Sequence, residues 1–167
     1  GAVYVGRRVT DDFEHVAAIK VVRGDIASPR LIERLRAERR TLARLKHPNI
    51  AQMYDGGETQ EGAPYFVMEF VQGAPLNDYL AEHDISLDQS LSLLQQICDG
   101  VSYAHRNLVI HRDLSPANML LSDGGHVKLI DFGISHSVVE DAAAAAAMPQ
   151  MTMTKGYAAP ERERGAP

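Results

Sequence analysis

The chain has no tryptophan and a single cysteine, Cys98, and only 6% of its 167 residues are aromatic. One thiol excludes an internal disulfide framework. Cys98 falls inside an apolar helical pattern, so a buried, inert thiol is the expectation. No apolar run is long enough to cross a bilayer, and no leader-peptide pattern opens the chain. These absences point to a cytoplasmic location, with any membrane anchor lying outside these residues. Positive charge is also scarce: 17 basic groups face 22 acidic ones, for a net charge of −5. That removes the electrostatic footprint of a nucleic-acid binder. No internal repeat is present. The one low-complexity stretch is a six-alanine run at 142–147. It is too short for an isolated helix and reads as a loop insertion.

What is present suits a globular protein, at 45% hydrophobic and 23% charged residues. The length fits one domain or two small lobes. Charge is uneven: residues 1–70 carry 11 basic and 10 acidic groups, and residues 71–167 carry 6 and 12. A metal site in the second part would add to that acidic excess, although a solvated acidic surface is the larger contributor. The chain begins at Gly1 on a strand-like run and stops at "ERERGAP" just after a motif, so a fragment of a longer protein is expected.

Residues 2–9 and 15–22 are β-rich runs joined by the polar "TDDFE", a hairpin pattern. Ser28 and Pro29 supply an N-cap and a first helical residue for a helix to about Lys46, which stops before Pro48. "IAQMYDGG" and "PYFVMEFV" read as two further strands, and "GAPLNDYLAEH" as a short helix. "SLDQ" at 86–89 is a capping box for a helix from 87 to about 106, with Leu87, Leu91, Leu94, Cys98 and Val101 at helical spacing. "NMLL" and "HVKLI" flank "SDGG", a strong hairpin turn. The fold class is therefore α+β. A small β-rich lobe with one helix occupies 1–70, a hinge around Gly73 spans 71–75, and a mainly helical part carrying a hairpin runs over 76–167.

The chemistry concentrates in "VIHRDLSPANMLL" and, thirteen residues after its Asn, "IDFG". This spacing puts Asp113, Asn118 and Asp131 on either side of the short hairpin, at one of its ends. Two carboxylates and an amide are hard oxygen ligands that suit Mg²⁺, which usually keeps substrate phosphates in its shell. A second constellation lies in the first lobe. Leu31, Leu35, Leu42 and Leu45 define the buried face of its helix, and Glu38 falls on the same face. Lys20 sits in the apolar strand "AAIKVV". Each charge is costly alone, and pairing them accounts for both, although each could instead reach water along its own stem. A lysine so held could reach the phosphates of a nucleotide.

These segments resemble the protein kinase family, and the resemblance covers the whole chain. It is closest to the bacterial members of the Ser/Thr kinases, truncated at both ends. It implies a bilobal kinase-like fold, ATP and Mg²⁺ as cofactors, and protein substrates bearing Ser or Thr. "AAIK", Glu38 and "LKHPNI" look like the third strand and regulatory helix, giving Lys20 to the α- and β-phosphates and Glu38 to its ion pair. By the same likeness Gly1 is the last glycine of the Gly-rich loop and Val3 packs on adenine. Ala18 and Leu120 sandwich the ring, Met68 is the gatekeeper, and the backbones of Glu69 and Val71 bond adenine. Asp113 is the base, and Asn118 and Asp131 hold the metal. His111 and Phe132 join Met53 and Leu42 in a hydrophobic stack. Arg112 would contact a phosphorylated loop running from Asp131 to Glu161. Thr154 resembles the threonine that contacts the catalytic Asp, and Thr152 is the better modification candidate. "YAAPE" closes the match. Pro116, and the lack of Trp before "APE", favour Ser/Thr over Tyr specificity.

Two readings compete with an active protein kinase: a nucleotide-binding pseudokinase scaffold, and a small-molecule phosphotransferase of related fold. The complete set of Lys20, Glu38, Asp113, Asn118 and Asp131 argues against the first. The threonine-bearing loop and "APE" argue against the second. The fragment alone is expected to expose apolar surface over 87–106 and 111–133, and so to be poorly soluble or inactive. One departure stands inside the catalytic loop. Ser115 occupies the place where Ser/Thr kinases usually carry a lysine, and a hydroxyl brings no charge to the γ-phosphate. Slow turnover is expected. Ser115→Lys should transfer phosphate from labelled ATP faster than the unaltered chain, and a variant that is no faster would count against this reading of the loop.

Overall fold

The computed structural model describes residues 2–9, 14–22, 33, 37, 39–132, 156 and 157. Gly1, most of the first helix with Glu38, the loop containing Thr152 and Thr154, the alanine run and Glu161 lie outside the described residues.

β1 (Ala2–Val9) and β2 (Glu14–Val21) pair antiparallel from Ala2 opposite Val21 to Val9 opposite Glu14. β3 (Met53–Glu58) and β4 (Pro64–Glu69) complete a four-stranded sheet in the order β1-β2-β4-β3. β4 alternates buried and half-buried residues along its length, as expected for a central strand with one face in the core. Residues 39–42 are helical, and the chain leaves the helix through bonds from Arg44 N to Thr41 O and Leu45 N to Leu42 O. The helix thus ends some residues before the expected Lys46, because its last turn tightens to i→i+3 bonding. Leu42 and Leu45 nonetheless stay buried, as their spacing predicts.

The second part of the molecule holds β5 (Gly73–Pro75), β6 (Met119–Ser122) and β7 (Val127–Leu129), in that order in one antiparallel sheet. β5 was not foreseen, since three residues give no alternation to read. Gly73 is required there: a Cβ would lie 2.0 Å from the carbonyl oxygen of Leu121 on the neighbouring strand. Two helices follow β5, α1 (Leu76–Glu82) and α2 (Leu87–Arg106). The capping box of α2 is formed as expected. The Ser86 hydroxyl accepts from Gln89 N at 3.2 Å, and the Gln89 side chain accepts from Ser86 N at 2.8 Å.

The burial of α2 corrects one expectation. Cys98 is exposed, not buried. The helix turns Leu93, Ile97, Gly100, Val101 and Ala104 inward, with Gly100 closing on Leu129 and Asn49. The row of Leu87, Leu91, Leu94 and Cys98 lies on the other side, and Leu87 is 73% exposed. α2 carries apolar residues on two faces, so helical spacing alone fitted either. The expected apolar exposure over 87–106 and 111–133 is present, at Leu87, Leu91, Leu94 and Leu114.

One buried cluster joins the two sheets. It runs from Leu42, Leu45 and Ile50 through Met53, Phe66 and Met68 to Met119, Leu121, Val127, Leu129 and Phe132. Residues 49–51 meet β7 in a single parallel bridge at Ile50, with Leu129 N donating to Asn49 O and Ala51 N to Leu129 O, each at 2.9 Å. Leu129 is completely buried. Leu129→Ala should cost about 2–5 kcal/mol of unfolding free energy, against about 1 kcal/mol for Ser86→Ala at the cap. Urea unfolding of the two variants measures both.

Candidate active site

The site is built from the loop before β6 and the residues after β7. His111 through Asp113 enter a 3₁₀ turn, Pro116–Asn118, where Asn118 N donates to Ser115 O at 2.9 Å. Proline at the first position presets the turn. The Asn118 side-chain nitrogen donates to both the backbone oxygen and Oδ2 of Asp113, each at 2.8 Å. Its amide is therefore oriented by Asp113, which leaves Oδ1 as the atom to offer a cation. Across the hairpin, Ile130 N donates to Asn118 O at 3.0 Å, and Ile130 O accepts from His111 Nε2 at 2.8 Å. These two bonds bring Asp131 beside the loop that carries Asp113 and Asn118.

Asp131 has φ 61°, a left-handed conformation that a non-glycine residue adopts only when its surroundings hold it. Arg112, with φ 68°, is held in the same way. From β2, Lys20 Nζ lies 2.7 Å from Asp131 Oδ1, and both side chains are a quarter exposed or less. Lys20 is thus paired with Asp131, whose neighbour Ile130 is bonded to the loop of Asp113 and Asn118, across up to 111 positions of sequence. The pairing of Lys20 with Glu38 falls outside the described residues.

The donor set fits a magnesium ion better than a metal held by protein alone. Among the described residues, no group of three or more His, Cys, Asp or Glu side chains converges on one point. The carboxylate of Asp131 and the amide oxygen of Asn118 are two hard ligands, which is the small number Mg²⁺ takes when phosphates and water complete its shell.

His111 and Phe132 are in ring contact, centroids 4.5 Å apart, and with Leu42 and Met53 they are all buried. Leu42, Met53, Met68, Asp131 and Phe132 line a cavity of about 20 Å³. The stack expected from the sequence therefore lies in one connected core. Of the residues expected around adenine, Met68 is buried and faces Ala18 across the β2–β4 pair. Val3 on β1 is exposed and Leu120 on β6 is half-buried.

Two features escaped the sequence reading. Ser115 is 1% exposed, and its hydroxyl has no hydrogen-bond partner among the described residues. A lysine there would have to run its stem out of a buried position to deliver its ammonium group. Lys128 Nζ pairs with Glu69 Oε1 at 2.7 Å. The signal for it was present: in "HVKLI" the period-2 alternation puts Lys128 on the face opposite Val127 and Leu129.

Against this geometry, four likenesses are informative. The family described as "Protein kinase domain" matches residues 1–166. The serine/threonine-protein kinase PknA of Mycobacterium tuberculosis is 41% identical over 167 residues, covering 96% of this chain and 36% of PknA. PknB of Mycobacterium leprae is 36% identical over 153 residues, covering 89% of this chain and 24% of PknB. Among solved structures, the kinase domain of Mycobacterium tuberculosis PknI superposes with a TM-score of 0.71 at 27% identity, over 98% of this chain and 60% of that one. The chain belongs to the protein kinase domain family and has its fold. It spans about a third or less of the length of the curated relatives it matches.

His111 gives the site a pH dependence. A carbonyl oxygen only accepts, so Nε2 carries the proton in the bond to Ile130. Nδ1 is then a buried acceptor with no partner among the described residues. Burial lowers the pKa of the imidazole below 6.5, outweighing the Ile130 bond and the nearby Asp113 and Asp131 carboxylates that raise it. The unfolded chain therefore binds this proton more readily, and stability falls as pH drops through 6.5 toward the lowered value. His111→Gln should flatten the fall in melting temperature below pH 6.5, where the slope for one proton is at most about 1.4 kcal/mol per pH unit.

Proposed function

We propose that the chain is the catalytic portion of a Ser/Thr protein kinase that moves the γ-phosphoryl group of ATP to Ser or Thr hydroxyls of other proteins. The observation that carries this reading is the joining of two pairs, Lys20 with Asp131 at 2.7 Å and Asn118 with Asp113 at 2.8 Å, by the bond from Ile130 N to Asn118 O. In this reading the two sheets belong to two lobes, with residues 71–75 as the hinge. Asp113 orients the acceptor hydroxyl and takes its proton. Asn118 and Asp131 would hold Mg²⁺, which supplies positive charge to the phosphates when bound. Lys20 holds the α- and β-phosphates, and Glu38 holds Lys20.

Gly1 and Val3 cover the nucleotide, Ala18 and Leu120 enclose the ring, and Met68 closes the back of the pocket. The backbones of Glu69 and Val71 bond the adenine edge. A phosphate on Thr152 would pair with Arg112, and Thr154 would take the place of the threonine that contacts the base in the family it resembles. The kinase works in the cytoplasm on protein partners and not on nucleic acid.

The test is transfer of labelled phosphate from ATP to protein. Asp113→Asn should lower the rate by about 10²–10⁴-fold, the scale of a lost general base, and chelating Mg²⁺ should stop transfer by the unaltered protein. Full activity of the Asn variant would remove Asp113 from the reaction.

A further inference from the structure

β7 and the residues after it are fastened to the first sheet at two points three residues apart, by ion pairs of opposite polarity. At one, Asp131 receives Lys20 from β2. At the other, Lys128 reaches Glu69 at the end of β4. Its ammonium lies 2.7 Å from Oε1 and 2.9 Å from Oε2. Oε2 also accepts from Gln52 N at 3.1 Å, while Glu69 N donates to Gln52 O at 2.8 Å. Lys128 and Glu69 are 18% and 26% exposed. This carboxylate therefore accepts from two other parts of the chain, the segment entering β3 and β7, with limited screening by water.

The two pairs differ in what a nucleotide would do to them. Lys20 and Asp131 are groups that phosphates and a cation compete for, so their mutual contact must loosen when both arrive. Glu69 and Lys128 turn their side chains to neither. We propose that Glu69 and Lys128 are positioning residues for nucleotide binding, the fixed pivot that keeps the end of β4 in register with Asp131 while the Lys20–Asp131 pair opens. The inference rests on the kinase reading above. In that reading the adenine edge is bonded by the backbone at Glu69 and Val71, and the phosphates are held at Lys20 and Asp131. The separation between those two grips is set by the strand segment from Lys128 to Asp131 and by where Lys128 anchors it.

The experiment measures Mg-ATP affinity directly by calorimetry on the intact protein, with steady-state KM and kcat beside it. Lys128→Met and Glu69→Gln should each weaken Mg-ATP binding about five- to tenfold, the scale of coupling between contacting residues. The double variant should be no weaker than either single one, because both remove the same pair. Lys128→Arg, which keeps the charge, should restore affinity to within about twofold. For Lys128→Met the loss should appear in KM, with kcat at saturating ATP changed far less. Melting temperatures identify any variant that has lost its fold, and the Lys128→Arg and double variants then decide the matter. Unaltered affinity in the single variants, additive losses in the double, or a rise in kcat at constant KM would each overturn the pivot. Failure of the unaltered protein to bind Mg-ATP would instead overturn the kinase reading.

Discussion

The backbone of Ile130 is the fastening on which the site depends. Its N–H and its carbonyl are both bonded to the loop that carries Asp113, at 3.0 Å to Asn118 O and 2.8 Å to His111 Nε2. With both of its polar groups engaged, Ile130 cannot rotate without leaving a donor and an acceptor unsatisfied in a largely dry environment. The next residue, Asp131, is thereby delivered to Lys20 in a left-handed conformation that its own preferences would not choose. The strain at Asp131 and Arg112 is held by bonds made one residue away, which is how a rigid scaffold stores strain at a site.

The same strand connects that fastening to the core. Leu129 is fully buried and bonded through its backbone to Asn49 and Ala51, while the Asn49 side chain donates to Val127 O and to Gln96 on α2. The Gln96 oxygen in turn accepts from Val127 N at 2.9 Å. A polar clamp of this kind, satisfied on every side, fixes one arrangement of the segment where a purely apolar contact would tolerate sliding. A shift of the helical residues around Leu42 would be felt by Met53, Phe132 and then Asp131 through contiguous buried side chains.

Sequence made the local elements legible because their causes are local. Ser86 and Gln89 specify the start of α2 within four residues, and "SDGG" specifies the β6–β7 turn within four. The cluster of Asp113, Asn118 and Asp131 was legible for another reason: three hard oxygen ligands fall in order around one short hairpin, at the spacing of the motifs they resemble. What stayed hidden depends on partners far along the chain. Cys98 was misjudged because α2 has two apolar faces, and the choice between them is made by Gly100 meeting Asn49 and Leu129. Lys128 takes its role from Glu69, fifty-nine positions away. β5 is set by Leu121 accepting a glycine close to its backbone, which no three-residue pattern displays.

The charge balance of the cleft follows from these placements. Asp113 and Asp131 bring two carboxylates to one end of the hairpin, and the loop from Asp113 to Asn118 contributes no basic side chain. Ser115 cannot compensate, since its hydroxyl is buried and uncharged. Lys20 therefore neutralises one of the two carboxylates through the contact with Asp131. A polyphosphate entering beside Asp113 and Asp131 would add negative charge next to two carboxylates, and like charges at close range in a partly dry site are disfavoured. In the kinase reading, Asp131 would hold a divalent cation that enters with the phosphates, and its charge would offset that carboxylate and leave Lys20 to the nucleotide.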